Sequence, residues 1–534
     1  MASNLPEEEH RAMGLQGYGA FLSLGSSKDV RFYLRSFVFV VLCLWLISKS
    51  FLFQGLEYTS DLFSFLQMSR ISLERGMLFE NAWGRMGAIH NFYTVLLFAP
   101  VTFFLGAYGL FLGTALLYLF ALWKLISLPD EVQSPPNKFQ VILLTLGPIG
   151  FWLFDDPIYG WHLELNFVPL SILLTTFLLT KNRIGSVITA LLFVFTKEDG
   201  PVLACMICLT YEIVVRTDRR DGGTFYERMK VPAKICAVWV IVFALGLLWL
   251  HLQKTYLTIE GQADYSDRLA IATKRFLQTV SNSGGIYSLW SMYPASLLMI
   301  LSAILVFAPA NLKKIGLVYL VSSVPLYIVV LIPSFAYAGT YHGLLWPPRF
   351  SLLWGLAISI VIFLGAKVAG KKTTYILQGI YLILLGASVF LQIQALRYYR
   401  NYSYADRMFA PFTPKSELNL IGARLSPMEH RFIECIATQA KKPSPILTEG
   451  SLFAIFHRHD IVFPARIRNA WAHPVLAVCD LQRRLPFNEK CLEFVLEKKG
   501  KPDWHAIQEG SIIATGSDPT AKNVLSNCAT RLGF

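Results

Sequence analysis

The sequence predicts a mainly α-helical protein that crosses a membrane many times and ends in a small α/β domain. Of its 534 residues, 54% are hydrophobic and only 16% are charged, a composition typical of multi-pass membrane proteins. Apolar runs of roughly 15 to 20 residues recur from Phe37 to Gln394, and such runs cross or nearly cross a hydrocarbon core of about 30 Å. After about Tyr398, charged, proline-containing and alternating segments replace these runs, which indicates a separate soluble domain.

The net charge of +13 narrows the classes of partner. In a chain with many apolar spans, a basic excess is expected from the lysines and arginines that hold loops on the cytoplasmic side. We therefore expect membrane lipids around this protein and no nucleic acid as its partner.

The N-terminal segment, residues 1–34, is expected to be a cytoplasmic tail. It begins polar and acidic and lacks the short apolar stretch with a small-residue cleavage site that a signal peptide needs. The run 37–53 is therefore predicted to be an uncleaved first span, and Lys28 and Arg31 before it keep the N-terminus inside. The loop that follows, residues 55–91, then faces outward.

The transmembrane domain is predicted to cover residues 35–397 with about eleven net crossings. The region 92–123 is too long for one ordinary helix and is interrupted between Leu105 and Gly109, so it forms either two passes or one dipping helix followed by one pass. One net crossing there places the basic loops inside, whereas two would place most of them outside. The predicted spans are then 37–53, one within 92–123, 139–153, 165–180, 184–196, 200–216, 235–252, 293–309, 315–332, 350–368 and 374–396. With the N-terminus inside, this count leaves the C-terminus outside.

Residues 398–534 are predicted to form an extracytoplasmic, periplasmic α/β domain. Strand-like runs such as PILTEGSLFAIF mix with helix-like runs such as LSPMEHRFIECIATQA. The domain holds Cys435, Cys479, Cys491 and Cys528, an even number that permits disulfides in an oxidising compartment. Four cysteines allow three pairings, and the sequence does not choose among them.

Ionisable and polar residues gather in the outer loops of this topology. Charged groups at the ends of apolar helices are costly to desolvate, so such a density at one membrane face indicates a site or a pathway. Any one carboxylate alone is better explained as a solvated surface group, and tryptophans near helix ends as an aromatic belt. The candidates are Tyr58, Asp61, Gln67 and His90 in the first loop, His162 and Glu164 in the second, Lys197, Glu198 and Asp199 in the third, and His342 and Arg349 in the fourth.

Short segments in these loops carry a resemblance to a known family. They are DLFSFLQ at 61–67, HNF at 90–92, GWHLE at 160–164, KED at 197–199 and YHG at 341–343. In order and spacing they resemble the motifs of the bacterial membrane family named domain of unknown function 2079. That family is similar to the GT-C glycosyltransferases, multi-pass enzymes that move a sugar from a polyprenyl-phosphate carrier to an acceptor at the outer membrane face. The resemblance implies a GT-C-like fold in the bacterial inner membrane, a lipid-linked sugar donor, and a glycan, lipid or protein acceptor.

The resemblance also gives Asp61 the role of the acidic residue near the transfer site. An acceptor hydroxyl is a poor nucleophile until a positioned carboxylate takes its proton, and a carboxylate that is partly desolvated at a bilayer surface is a suitable base. We expect direct displacement with inversion at the anomeric carbon and lipid phosphate as the leaving group.

The other candidates are expected to bind substrate. Arg349 is the first choice for the departing phosphate, because a guanidinium can form two hydrogen bonds with it, and His342 and Lys197 are second choices. His162 and Glu164 are expected to bind sugar hydroxyls or to orient the base. The remaining members of the substrate-binding set are Tyr58, Gln67, His90, Glu198 and Asp199.

No cofactor is certain from the sequence. Asp61, His162, Glu164 and His342 offer oxygen and imidazole ligands, so a divalent metal ion is left open. We assign no metal site on this ground.

Two other classes of function stand beside the enzyme. Apolar spans with outer ionisable groups also suit a transporter or flippase of lipid-linked glycans, although no pair of proline- or glycine-broken spans recurs in matching halves. The third class is a non-catalytic scaffold for envelope assembly, with the C-terminal domain as its interaction module. Replacement of Asp61 by Asn separates these classes, because it abolishes sugar transfer only in the enzyme.

Overall fold

The structure is a computed structural model, and it is mostly helical, in agreement with the predicted class. The described residues are 27–55, 58, 60–75, 79–80, 84–85, 90–155, 160–212, 225–257, 274, 347–367, 386, 427–440, 445–448, 452, 454–462, 476–479, 505–506, 514–515 and 519–533.

The helices in chain order are α1 (Ser27–Gln54), α2 (Ser60–Arg75), α3 (Ala99–Leu105), α4 (Ala107–Ile126), α5 (Pro135–Leu146), α6 (Pro148–Asp155), α7 (Phe167–Leu179), α8 (Arg183–Thr196), α9 (Gly200–Tyr211), α10 (Phe225–Leu257), α11 (Pro347–Lys367), α12 (Pro427–Gln439) and α13 (Pro519–Leu532). Two 3-10 segments, Tyr93–Phe98 and Leu163–Asn166, lead into α3 and α7. The strands are β1 (Phe79–Glu80), β2 (Gly84–Arg85), β3 (Pro445–Thr448), β4 (Asp460–Val462), β5 (Leu476–Val478), β6 (His505–Ala506) and β7 (Ala514–Thr515).

Proline and glycine set several helix boundaries. Pro135 and Pro148 are the first residues of α5 and α6, a position where the missing N–H of proline leaves no helical hydrogen bond unmade. These two helices meet at a bend of 41°. Gly106 separates α3 from α4 with a φ of +60°, a conformation that suits glycine. The break predicted between Leu105 and Gly109 therefore lies at this glycine.

Among the described residues, three helices are long and apolar enough to cross a membrane, namely Asp29–Gln54, Ala107–Ile126 and Lys230–Leu252. The bent pair α5 and α6 adds a fourth if it is one broken span. Shorter apolar helices accompany them at Tyr93–Leu105, Leu163–Leu179, Arg183–Thr196, Gly200–Tyr211 and Phe350–Ala366. The predicted spans 293–309, 315–332 and 374–396 lie outside the described residues, so the count of eleven crossings stays a prediction.

Polar contacts distinguish the two ends of the helical bundle. At one end, the Asp130 end, Arg31 and Lys138 pair with Asp130 at 3.2 Å and 2.8 Å. At the other, the Glu164 end, the carbonyl of Glu164 accepts a hydrogen bond of 2.8 Å from Ser351 of α11. Arg31 is near the start of α1, whereas Ser351 is near the start of α11. These two helices therefore run in opposite directions, with α11 starting at the Glu164 end.

The first outer loop of the prediction contains regular structure. Residues 60–75 form helix α2, and β1 and β2 pair as a short antiparallel ribbon. The side chains of residues 62–69 are all buried, including Phe63 and Phe65. A helix forms here because these apolar side chains have neighbours on all sides. Asp61 is thus in the first turn of a helix that lies within the segment predicted as the first outer loop.

The C-terminal part combines helices with a five-stranded sheet of order β4-β3-β5-β7-β6. Strand β3 is parallel to β4 and β5, whereas β7 is antiparallel to β5 and β6. A disulfide between Cys435 and Cys528 joins α12 to α13, with 5.9 Å between their Cα atoms. Cys479 is also disulfide-bonded. The α/β composition of this segment is observed, whereas the boundary at residue 398 and the location of Cys491 lie outside the described residues.

This C-terminal part packs against the helical bundle. One apolar cluster contains side chains of α1, α2 and α4 together with side chains of α12, α13, β3 and β5. Arg70 of α2 donates to the carbonyls of His457 and Arg458 at 3.1 Å and 3.3 Å. The backbone N–H of Ala107 donates to Nδ1 of His457 at 3.3 Å. Helix α2 is therefore held between the bundle and the C-terminal part.

Three of the tryptophans near helix ends lie inside the protein and not in an aromatic belt at its surface. Trp152, Trp161 and Trp354 are buried. The indole N–H of Trp161 donates to Thr114 at 2.9 Å, and that of Trp354 donates to the carbonyl of Leu144 at 3.2 Å. They fill the core of the bundle, because large aromatic rings contribute most when they are enclosed.

Candidate active site

The Glu164 end of the bundle gathers charged side chains from three of the predicted outer loops. Glu164 is in the 3-10 segment that leads into α7, and Lys197 and Glu198 are in the short link between α8 and α9. His90 precedes the 3-10 segment that leads into α3. These three segments are far apart in the sequence, and the fold brings them together in a largely buried cluster.

Glu164 and Lys197 form the central ion pair of this cluster. Nζ of Lys197 is 2.9 Å from Oε1 of Glu164 and 3.8 Å from Oδ2 of Asp199. Nδ1 of His162 lies 3.4 Å from the other carboxylate oxygen of Glu164. Burial alone would raise the pKa of Glu164, but Lys197 and His162 outweigh it and hold this pKa well below its usual range. Glu164 is therefore a buried carboxylate with one oxygen paired to Lys197 and the other 3.4 Å from the imidazole of His162.

Glu198 pairs with His90 rather than with the adjacent Lys197. Nδ1 of His90 is 2.6 Å from Oε1 of Glu198, and the backbone N–H of Asn91 donates to Oε2 at 3.5 Å. Burial acts to raise the pKa of Glu198, but His90 and then Lys197 lower it below its usual value. Lys197 and Glu198 are adjacent in the sequence but belong to two separate pairs, because each side chain meets a partner from another element.

A second buried cluster lies beside the first and contains a residue that the sequence did not single out. Nζ of Lys49, in α1, donates to the carbonyls of Phe154 and Asp155 at 2.7 Å and 2.9 Å and to the carbonyl of Gly160. It is also 3.8 Å from the carboxylate of Asp155, which accepts a hydrogen bond from the hydroxyl of Tyr58. A lysine within an apolar span was the signal for this residue, since charges at that depth are rare.

The Lys49 cluster places the start of helix α2. Tyr58 is three positions before Asp61. Gly160, at a φ of +80°, lies directly against the Tyr58 ring, where an added Cβ would be 2.5 Å from Cγ of the ring. Glycine is required at this position both for the backbone conformation and for the close approach.

Helix α2 packs directly on the Glu164 end through Phe65. Its ring centroid is 5.3 Å from that of His162, 5.2 Å from Trp161 and 5.0 Å from Phe92. Asp61 is one helical turn before Phe65. The segment that carries the predicted base is therefore anchored on both sides of Asp61, by Tyr58 before it and by Phe65 after it.

The remaining predicted site residues are placed as follows. Gln67 is buried in α2, and Asp199 is the last residue before α9. Asp61 and Arg349 are described by their backbone alone, in the first turns of α2 and α11, and His342 lies outside the described residues. Among the side chains that the structure describes, no group of three or more His, Cys, Asp or Glu could hold a metal ion. His162 and Glu164, two of the four suggested ligands, are adjacent, and Glu164 is occupied by Lys197.

Comparisons with known proteins give likenesses of fold at low sequence identity. No family model and no curated protein matches the chain, so the resemblance to domain of unknown function 2079 is not confirmed. The chain is similar to the structure of ArnT from Cupriavidus metallidurans bound to undecaprenyl phosphate, with 13% identity, a TM-score of 0.43, and coverage of 92% of this chain and 98% of that one. It is also similar to the Archaeoglobus fulgidus oligosaccharyltransferase in complex with zinc and sulfate, with 11% identity, a TM-score of 0.39, and coverage of 89% and 73%. Both are GT-C glycosyltransferases. At these scores the likeness assigns neither a fold family nor an activity to this chain.

Proposed function

We propose that this protein is a membrane glycosyltransferase that moves a sugar from a polyprenyl-phosphate donor to a glycan, lipid or protein acceptor at the outer membrane face. The observation that supports it best is the packing of α2, which carries Asp61, on His162 beside the Glu164–Lys197 pair. A carboxylate carried by a helix that packs on a buried, charge-paired cluster suits the deprotonation of an acceptor hydroxyl.

Asp61 acts as the general base in this proposal. It accepts the proton of the acceptor hydroxyl while the oxygen attacks the anomeric carbon. The bond from that carbon to the phosphate oxygen breaks, its electron pair stays on the phosphate, and the configuration inverts. No glycosyl-enzyme intermediate is needed.

Arg349 is proposed to bind the departing phosphate. It lies in the first turn of α11, two residues before Ser351, whose hydroxyl donates to the carbonyl of Glu164. The start of α11 is thus at the same end of the bundle as the charged cluster, and a helix N-terminus favours an anion. His342 is a second choice. Lys197 is a weaker one, because its ammonium is already paired with Glu164.

His162 and Glu164 are proposed to orient the sugar and the base rather than to react. The carboxylate of Glu164 is held by Lys197 and His162, which suits a rigid wall of the site. Tyr58 and Asp199 extend this wall. Tyr58 donates a hydrogen bond to Asp155 of the Lys49 cluster, and Asp199 lies 3.8 Å from the ammonium of Lys197.

The outward orientation of this site is part of the proposal. The Cys435–Cys528 disulfide indicates an oxidising compartment for the C-terminal part. That part shares an apolar cluster with α2. In this orientation the outer side of the bacterial inner membrane would hold the Glu164 end, the domain of residues 398–534 and the disulfide.

Replacement of Asp61 by Asn tests the function. We expect sugar transfer to fall by about 10²- to 10⁴-fold, because the acceptor hydroxyl loses its base, while the protein accumulates normally in the membrane. The measurement is mass spectrometry of lipid-linked sugars and envelope glycans in cells that carry either variant. Glu131→Gln, at an exposed carboxylate near the Asp130 end, is the matched control and should keep full transfer.

Three outcomes separate the classes of function. Full transfer by Asp61→Asn would rule out the proposed base. Donor lipid that accumulates on the inner leaflet in the absence of the protein would favour a flippase. Unchanged pools of lipid-linked sugar and glycan in the absence of the protein would favour a scaffold.

A further inference from the structure

His90 and Glu198 form an oriented pair at the edge of the charged cluster. The carboxylate oxygen is 2.6 Å from Nδ1 of the imidazole, and the side chain of Glu198 is 2% exposed whereas that of His90 is 20% exposed. The buried carboxylate of Glu198 thus fixes the orientation of the imidazole, whereas the His90 ring itself is partly exposed. The ring also contacts Phe92, with 4.8 Å between centroids, which limits its rotation.

The second ring nitrogen of His90 is the chemically available atom of this pair. Nδ1 is taken by Glu198, so Nε2 points away from the carboxylate. Among the described residues, Nε2 has no hydrogen-bond partner. In the imidazolium form, Nε2–H is a cationic donor of the kind that binds a phosphate oxygen.

Asn91 provides a second and independent sign of a ligand. Its side chain is 4% exposed, and its amide oxygen is buried without a partner among the described residues. A buried acceptor of this kind is costly unless a donor reaches it. A sugar hydroxyl next to the phosphate would supply that donor.

We propose that His90, positioned by Glu198, binds the phosphate of a polyprenyl-phosphate sugar, with Asn91 accepting a hydrogen bond from the adjacent sugar. This inference rests on the proposed function and names the residues that hold its donor. His90 is the contacting residue, and Glu198 is a positioning residue that acts through the imidazole.

The pair fits the charge change of the transfer step. When the bond between the anomeric carbon and the phosphate oxygen breaks, the electron pair remains on the phosphate, and the acceptor proton goes to Asp61. The phosphate thereby gains negative charge, and Nε2–H stabilises it through a stronger hydrogen bond without transferring a proton. Lys197 is less suited to this contact, because its ammonium is directed at Glu164.

Binding of a polyprenyl monophosphate tests the inference separately from catalysis. The full-length protein in nanodiscs is titrated with polyprenyl monophosphate and, in parallel, with the matching polyprenol that lacks the phosphate. We expect the wild type to prefer the phosphate form and His90→Asn to lose about tenfold or more of that preference, with polyprenol binding unchanged. His90→Arg keeps a cation and should retain most of the preference. Glu198→Gln should lose part of it.

His430→Asn is the matched control. His430 also pairs with a carboxylate, Glu434 at 3.5 Å, but on the exposed surface of α12. The His430→Asn variant should bind both lipids as the wild type does. A loss of phosphate preference in this variant equal to that of His90→Asn would overturn the assignment. A wild-type phosphate preference that survives in His90→Asn would overturn the role of His90 alone. A wild type with no preference for the phosphate form would instead contradict the proposed function.

Discussion

At the scale of single residues, Lys49 shows how a charge is kept inside an apolar helix. Its ammonium has three backbone carbonyls and the carboxylate of Asp155 around it, and the rings of Tyr58 and Phe111 each lie 4.9 Å away. A buried ammonium needs this many partners because desolvation of an ion is costly. The contacts join the end of α1 to the end of α6 and to Gly160.

Replacement of Lys49 by Met should therefore destabilise the protein. The change leaves the carboxylate of Asp155 buried without its cation, and we expect a loss of about 3–5 kcal/mol in the free energy of unfolding. Lys124→Met, at an exposed lysine in the last turn of α4, should change it by less than about 1 kcal/mol. Thermal unfolding in detergent measures both, and equal effects would contradict the role given to the Lys49 cluster.

Glu198 should make part of the stability dependent on pH. Its pKa in the folded protein is below the ordinary value of 4.5. A carboxyl whose pKa is lowered by folding contributes stability above its unfolded-state pKa, and this contribution is lost as the pH falls through the folded-state pKa. We expect the amount by which the unfolding temperature of the wild type exceeds that of Glu198→Gln to shrink as the pH falls below about 4.5. A difference that widens below about pH 4.5 would show that the shift has the opposite sign.

At the scale of elements, helix α2 is the part whose position matters most for the site. It is anchored by Tyr58 before its first turn and by Phe65 one turn after Asp61. Its residues 62–69 are buried between the bundle and the C-terminal part. The helix therefore has little freedom to move Asp61 relative to His162.

Gly160→Ala should disturb this helix from outside it. The added Cβ would lie 2.5 Å from the Tyr58 ring, so the ring and the start of α2 must shift. The alanine would also have to adopt a φ of +80°, which costs about 1–3 kcal/mol. We expect a lower unfolding temperature and reduced sugar transfer. Gly246→Ala, whose Cβ would find its nearest neighbour at 3.6 Å in the middle of α10, should be neutral or stabilising by up to about 1 kcal/mol. Wild-type transfer by Gly160→Ala would show that α2 tolerates the shift.

At the scale of the whole molecule, the C-terminal part and the bundle form one packed unit at this end. They share an apolar cluster, and Arg70 of α2 donates to carbonyls of the segment after β3. His457 lies against Gly106, where an added Cβ would be in contact with the imidazole. His459 is also buried, with Nε2 2.8 Å from the carbonyl of Ala437. These two histidines are packing residues.

Removal of the Cys435–Cys528 disulfide should loosen this unit. The bond closes a loop with a sequence separation of 93 residues, and such a bond contributes about 2–5 kcal/mol. We expect the double variant Cys435→Ser with Cys528→Ser to be cleaved faster in limited proteolysis and to transfer sugar more slowly, because α2 loses its cover. Cys43→Ser, at a free cysteine of α1, is the control. Resistance equal to the wild type would mean that the apolar cluster alone holds the C-terminal part.

Much of the helical architecture could be predicted from the sequence, because hydrophobicity and its period are local properties. The apolar runs predicted α1, α4 and α7, and Gly106 lies within the predicted interruption. Helix α2 was not predicted as a helix, because part of its burial comes from the C-terminal part, hundreds of residues later in the chain. Its apolar residues alone did not show what would cover them.

The sequence by itself determined a chain of apolar helices with charged residues concentrated between them, since composition and spacing are sufficient for both statements. The tertiary structure alone decided which charges meet. Glu164 pairs with Lys197 across 33 positions, Glu198 with His90 across 108, and Lys49 with the carbonyl of Asp155 across 106. Ion pairs depend on distance in space, and the apolar bundle that sets those distances also makes each pair costly to leave unmatched.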